Sequence, residues 1–144
     1  MSSWGVTPRQ SIAAECGRRG QDAVIAGCVA LLNGDAADAD LLRALAGQAA
    51  RAVLRGEAGG VDGYWPRVWG ARGLLYAWDD SATAAVVQAT SDEAWRVREM
   101  ALKVIVRHRV GDAIEAAARL GDDPVLRVRR AAHRAVERLV DAGA

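Results

Sequence analysis

The chain has 144 residues, 51% of them apolar and 26% charged, and a formal net charge of +1. Length and composition suit one folded domain and exclude a disordered charged tail, and a balance so near neutral excludes a wholesale electrostatic nucleic-acid binder. The longest apolar runs, VIAGCVALL and ALKVIV, fall far short of the roughly 20 residues a membrane span needs; the two cysteines, without CxxC or Cys/His metal spacing, fit a reduced cytoplasm.

Strand-favouring residues are sparse, with no Phe, while Ala and Leu dominate, so the expectation is helix throughout. Thr7 reads as an N-cap with Pro8 at the first helical position, and GRRG ends that helix. The next segment, QDAVIAGCVALLNG, gathers Val24, Ile25, Cys28, Val29, Leu31 and Leu32 on one broad face, closed by Asn33 and Gly34. A single helix is expected over DADLLRALAGQAARAVLRG, where Leu41, Leu42, Leu45, Ala49 and Leu54 keep a helical period. EAGGVDG is the most flexible stretch and the best internal joint. Ser2, Ser3 and Trp4 read as a loose N-terminus.

From Asp62 onward the chain repeats. Asp62-Gly-Tyr-Trp65 returns as Asp92-Glu-Ala-Trp95 and again as Asp123-Pro-Val-Leu126. Small residues follow at Ala71, Ala101 and Ala132, then apolar pairs at Leu74-Leu75, Val104-Ile105 and Ala135-Val136. Shorter helices, SATAAVVQAT and GDAIEAAARLG, lie between, and Asp79-Asp80 reads as a cap at Ser81. A helical repeat in the 20–50 residue range means stacked hairpins, each burying its face only against its neighbours. The expected fold is therefore all-α: an α-solenoid of antiparallel helical hairpins with about 7–8 helices. It forms a single domain, 1–144, with 7–55 as a helical cap or degenerate repeats and 62–141 as the repeats proper.

The words D-x-x-W-R-V-R-x-x-A at Asp92–Ala101 and D-P-V-L-R-V-R-x-A-A at Asp123–Ala132 resemble HEAT repeats, near the short PBS-lyase type. The likeness is closest over 91–139, looser over 62–90, and by helix pattern alone over 7–55. The chain is also similar to small HEAT-repeat proteins of actinobacteria. In that family the Asp and second Arg of each unit tie neighbouring repeats, which implies structural roles for Asp92 with Arg98 and Asp123 with Arg129. In the first unit Asp62 is present, but Val68 stands where Arg98 and Arg129 stand, so the alignment implies a ladder broken at its first joint. Trp65 and Trp95 share one repeat position and read as packing residues.

Function is then sought where the copies differ. Trp69 aligns with Glu99 and Arg130, and Trp78 with His108; an aromatic at a polar repeat position suits a partner surface. Arg127, Arg130, Arg134 and Arg138 form one stripe, matched a unit earlier by Arg96, Glu99, Lys103 and Arg107. The candidate surface is Trp69, Arg72, Trp78, Arg96, Arg107, Arg130 and Arg134, for a protein or peptide partner. No catalytic residues, metal site or cofactor are expected: His108 and His133 lack a partner at fixed spacing, and GxGxxG, GxxxxGK[ST] and GxSxG are all missing. A second reading is a DNA-interacting protein similar to the HEAT-like alkylation-repair glycosylases. The chain is shorter than those enzymes, and no position matches their catalytic aspartate. A third is an accessory resembling chromophore lyases, which the repeat pattern alone suggests.

Overall fold

The computed structural model describes residues 6–35 and 38–143. Ser2, Ser3 and Trp4 lie outside them. Every regular element among the described residues is helical. The nine α-helices are α1 (Pro8–Arg19), α2 (Gln21–Leu32), α3 (Ala39–Ala46), α4 (Ala49–Leu54), α5 (Trp65–Gly73), α6 (Thr83–Ala89), α7 (Trp95–His108), α8 (Ile114–Arg119) and α9 (Leu126–Gly143). Short 3₁₀ turns at Gly60–Asp62, Asp80–Ala82, Gly111–Ala113 and Leu120–Asp122 join them.

Local chemistry sets the boundaries. Thr7 and Gln10 form a capping box: the Thr7 hydroxyl accepts from the Gln10 N–H at 3.1 Å, and the Gln10 side chain accepts from the Thr7 N–H at 2.9 Å. Asp38 caps α3 through the Leu41 N–H at 2.9 Å. The single helix expected over 38–56 is two. Gly47 takes a positive φ of 58°, its N–H closes on the Arg43 carbonyl, and the chain turns before α4. The apolar period runs on across that break, which is why the pattern alone reads as continuous.

Helix α2 packs against α5, α5 against α7, and α7 against α9, while α6 lies on α7 and α8 on α9. Helix α3 joins α1 and α5. One apolar core runs through all of these contacts, from Ile12 and Leu41 through Leu74 and Val86 to Ile105, Val128 and Leu139. Helices α2 and α5 approach closely. A methyl group on Gly70 would stand 2.8 Å from the Cys28 carbonyl oxygen and 2.9 Å from the Leu31 Cβ.

Two part-buried ion pairs join the units, and their geometry repeats. The Arg67 fork binds Asp92 through Nε at 2.9 Å and Nη2 at 3.2 Å; the Arg98 fork binds Asp123 through the same atoms at 2.8 and 3.1 Å. Each aspartate also accepts the backbone N–H two residues on, from Ala94 at 2.8 Å and from Val125 at 2.9 Å. The Nη1 of both arginines turns back to a carbonyl before its own helix, Gly63 for Arg67 and Asp92 for Arg98, and that of Arg129 does the same with Asp123.

Arg98 reaches the Asp123 of the following unit, and Arg129 holds Asp123 only by its carbonyl. The pairing corrects the alignment in the first unit. In the first unit Arg67, not the residue at Val68, fills the arginine position, since Arg67–Asp92 and Arg98–Asp123 both span 25 residues. The ladder is therefore continuous through the joint where the alignment breaks it. Asp62 is exposed and takes no part in it.

Two outcomes follow from these contacts. Gly70→Ala lowers the thermal midpoint although alanine is the better helix former by about 1 kcal/mol, because its methyl meets backbone. Gly17→Ala, on open helix surface with nothing within 4 Å, raises it. Burial alone would raise the Asp123 carboxyl; the bonds from Arg98 and Val125 and the charges of Arg98 and Arg129 outweigh it and hold the group below the usual range. The stability it contributes is present above the ordinary Asp value near 3.9 and is lost as pH falls through the lower folded value. Urea titrations will show Asp123→Asn destabilised by about 3 kcal/mol at neutral pH. That gap will close in acid, and adding Arg98→Met will recover part of the neutral loss.

Candidate binding surface

The proposed surface residues do not form one patch. Trp69 is 4% exposed and belongs to the core. In the register set by the ion pairs, 31 residues from Arg67 to Arg98, its counterparts are Met100 and Ala131, not Glu99 and Arg130. It occupies an apolar position and stacks with Trp65 at 6.1 Å. Trp69 is accordingly withdrawn from the candidate surface.

Arg72 is also engaged internally. Its Nη2 donates to the Leu45 carbonyl at 2.5 Å, at the C-terminal end of α3 where unpaired carbonyls concentrate negative potential. Its Nε is buried without a partner, and burial lowers the pKa of the guanidinium. This arginine caps a helix of the N-terminal part and ties it to α5.

Trp78 is half-buried with its ring on His108, centroids 4.6 Å apart and planes within 8°. The two residues that the alignment treats as equivalent are stacking partners between successive units. His108 is fixed from its other side by a 2.7 Å hydrogen bond between Nε2 and the Leu74 carbonyl. Burial holds its pKa below the ordinary value; the Leu74 bond opposes this and the Arg107 charge reinforces it.

Arg96 is exposed, yet its guanidinium lies over both Trp65, at 5.4 Å, and Trp95, at 4.5 Å. Arg127 continues the series over Trp95 at 5.4 Å and binds Glu99 through Nε at 3.0 Å. Aromatic and guanidinium groups thus alternate along the starts of α5, α7 and α9, with Trp65 and Trp95 in the packing position expected for them. Sequence reasoning took Arg96 as a free cation. The signal it missed is the recurrence of Trp at one repeat position with Arg beside it.

What remains lies on α7 and α9. Arg107, Arg130 and Arg134 are exposed, and none forms an ion pair among the described residues. Arg107 lies over Tyr76 at 5.8 Å, with Arg9 at 5.7 Å from the same ring. Two cations outside the expected surface, Lys103 and Arg138, join Arg134 around a trough of about 220 Å³ between α7 and α9, with Leu102, Val106 and Ala131 as its floor. Lys103 and Arg138 were visible in sequence as members of the two stripes. Their convergence across a groove depends on how α7 packs on α9.

Two further groups capable of chemistry serve the fold. Asp79 caps the turn after it by accepting from the Ser81 N–H at 2.9 Å and from the Ser81 hydroxyl. Cys28 is buried, and desolvation pushes its thiol up to about 12. Comparison with protein families, with curated proteins and with solved structures finds no match to this chain.

The stack makes a measurable prediction. Half-burial favours the neutral form of His108, so between the ordinary value near 6.5 and the lower folded value the unfolded chain binds the extra proton and stability is lost as the pH falls. In Trp78→Ala the His108 ring is uncovered. NMR titration will then show its pKa moving up toward 6.5, and the acid-side loss of stability will shrink. An unmoved His108 titration would mean that Trp78 does not shield the ring.

Proposed function

We propose that this chain is a non-enzymatic protein- or peptide-binding module, an α-solenoid of HEAT-like repeats that meets its partner with the outer faces of α7 and α9. The recurrence of the same Arg–Asp fork at 25-residue spacing supports the repeat reading. So does the succession of α5, α7 and α9, each on the next, with α6 and α8 filling in beside them. Stacked units of this kind present a broad, nearly rigid surface that serves recognition by its shape and charge.

One observation carries the functional reading. Several arginines elsewhere in the chain meet a carboxylate, Arg18 and Arg19 at Glu15, Arg43 at Asp40 and Arg55 at Glu57, whereas Arg9, Arg51, Arg109 and Arg119 stand singly without one among the described residues. On the outer faces of α7 and α9, Lys103, Arg107, Arg134 and Arg138 meet none among the described residues. Glu99 is taken by Arg127, and the exposed Glu137 and Asp141 of α9 form no ion pair among the described residues. Cations left without a paired carboxylate make a surface that attracts opposite charge.

The test is capture by the tagged chain from a lysate of its source cells, comparing wild type with Arg107→Glu/Arg134→Glu/Arg138→Glu. The wild type will retain a defined set of partner proteins that the reversed variant loses about tenfold or more, with unchanged helical circular dichroism. Equal retention by both would overturn the assignment of this face, and retention abolished by nuclease would favour the nucleic-acid reading.

A further inference from the structure

We propose that the trough between α7 and α9 docks an acidic segment of a partner protein, one that places an aliphatic side chain over Val106 and carboxylates against Lys103, Arg134 and Arg138. The proposal rests on the binding-module reading and gives its partner a chemistry.

The charge arrangement is the first reason. Lys103 and Arg107 stand four residues apart on α7, and Arg134 and Arg138 four apart on α9. Like charges at that spacing destabilise a helix by about 0.2–0.5 kcal/mol per pair. Here two such pairs stand on neighbouring helices, and Lys103, Arg134 and Arg138 line one trough into which no carboxylate projects. The chain has 18 acidic residues to set against 19 basic ones, so the imbalance is one of placement. Exposed acids stand at Glu137 and Asp141 on α9 and at Asp112, Glu115 and Asp122 around α8, and none of them lines the trough. Carboxylates from outside would relieve the repulsion, and each neutralised cation would speed encounter and add salt-dependent affinity.

The shape is the second reason. At about 220 Å³ the trough is smaller than the ~300–1,000 Å³ typical of small-molecule sites. It has room for a side chain or two on a segment lying along it, as when a helix or extended peptide sits in a groove. Its floor is apolar: Val106 is half-buried, with Leu102 and Ala131 buried beneath. A phosphodiester backbone has no group to place there, and no aromatic residue lines the trough to stack a base. The nearby tryptophans, Trp65 and Trp95, are already covered by Arg96 and Arg127. The floor and the cations together select carboxylates flanking an aliphatic residue over phosphate.

Fluorescence anisotropy with labelled synthetic probes tests this. The probes are a peptide with two leucines flanked by glutamates, the same peptide with lysines for glutamates, an all-glutamate peptide, and a short DNA duplex. The glutamate–leucine peptide will bind the wild type, and the lysine version will not. Lys103→Glu/Arg134→Glu and, separately, Val106→Asp will each weaken binding about tenfold or more, while Arg119→Glu on α8 will leave it unchanged. Circular dichroism of each variant shows that it is folded. Three results would overturn the proposal: no binding of the glutamate–leucine peptide, equal binding of the all-glutamate peptide with no effect of Val106→Asp, or duplex binding at least as tight as peptide binding. If partner proteins are still captured through this face while the peptide fails, the acidic segment alone is refuted and the binding module stands.

Discussion

The bond between an arginine of one unit and an aspartate of the next governs how α5, α7 and α9 come to lie together. Taking such a pair out of water costs several kcal/mol per ion, and Coulomb attraction recovers this only where the remaining hydrogen-bonding capacity is also met. Both copies meet it. The aspartate accepts two bonds from the guanidinium and one from the start of the helix that follows it, while the arginine's third nitrogen returns to a carbonyl before its own helix. One carboxylate thus caps its own helix and receives the previous one. The planar five-donor fork of arginine makes this possible, and lysine, a point charge with a flexible stem, would not reproduce it. The net stabilisation need not be large for the pair to matter; its directionality sets the register of one helix on the next.

Above this joint the packing divides by residue size. Toward the N-terminal helices, α5 uses glycine where α7 uses alanine and valine: Gly70 and Gly73 stand at the positions of Ala101 and Val104. With no side chain there, the backbones of α2 and α5 approach closely, and the Gly73 site is filled by Cys28 and Leu45 instead. Arg72, between those glycines, reaches to the end of α3. The N-terminal helices are therefore joined to the repeats by close backbone contact and a helix-end bond, not by a further copy of the ladder. This is a physical reason why 7–55 follows the repeat pattern in helix content and departs from it in sequence.

Local signals were legible and tertiary ones were not. Thr7, Pro8, Gly20, Gly34 and the turn before Ser81 act through neighbours in the chain, and their chemistry can be read from the residues alone. Gly47 was misread because an unbroken apolar period outweighed a single glycine in the pattern, whereas its positive φ turns the chain. The first unit was set one residue out of register because Trp65 and Trp95 anchor the alignment. The helix of that unit is aligned by Arg67, and only the partner of Arg67, 25 residues on, reveals it. That single slip placed Trp69 opposite charged residues and made a core side chain look like a surface one. Trp78 and His108 show the same limit: equal positions in an alignment became touching rings, because successive units are neighbours in space.

The face of α9 turned away from α7 provides an internal control for the charged surface. In the ladder's register Leu102 and Val106, which serve the α7–α9 contact, become His133 and Glu137, and Glu99 becomes Arg130. Those α9 residues are exposed beside Leu126, which is 48% exposed. That face carries an acid, a base and an imidazole together, a mixed composition compatible with water. On the outer flank of the same helix Arg134 and Arg138 share their stripe with Asp141, and Lys103 and Arg107 stand across the trough on α7. Only the trough itself is lined by cations without an acid, over an apolar floor. The two faces derive from the same repeat position by position, so the difference between them lies in which side chains each helix turns toward its neighbour and which it leaves to water.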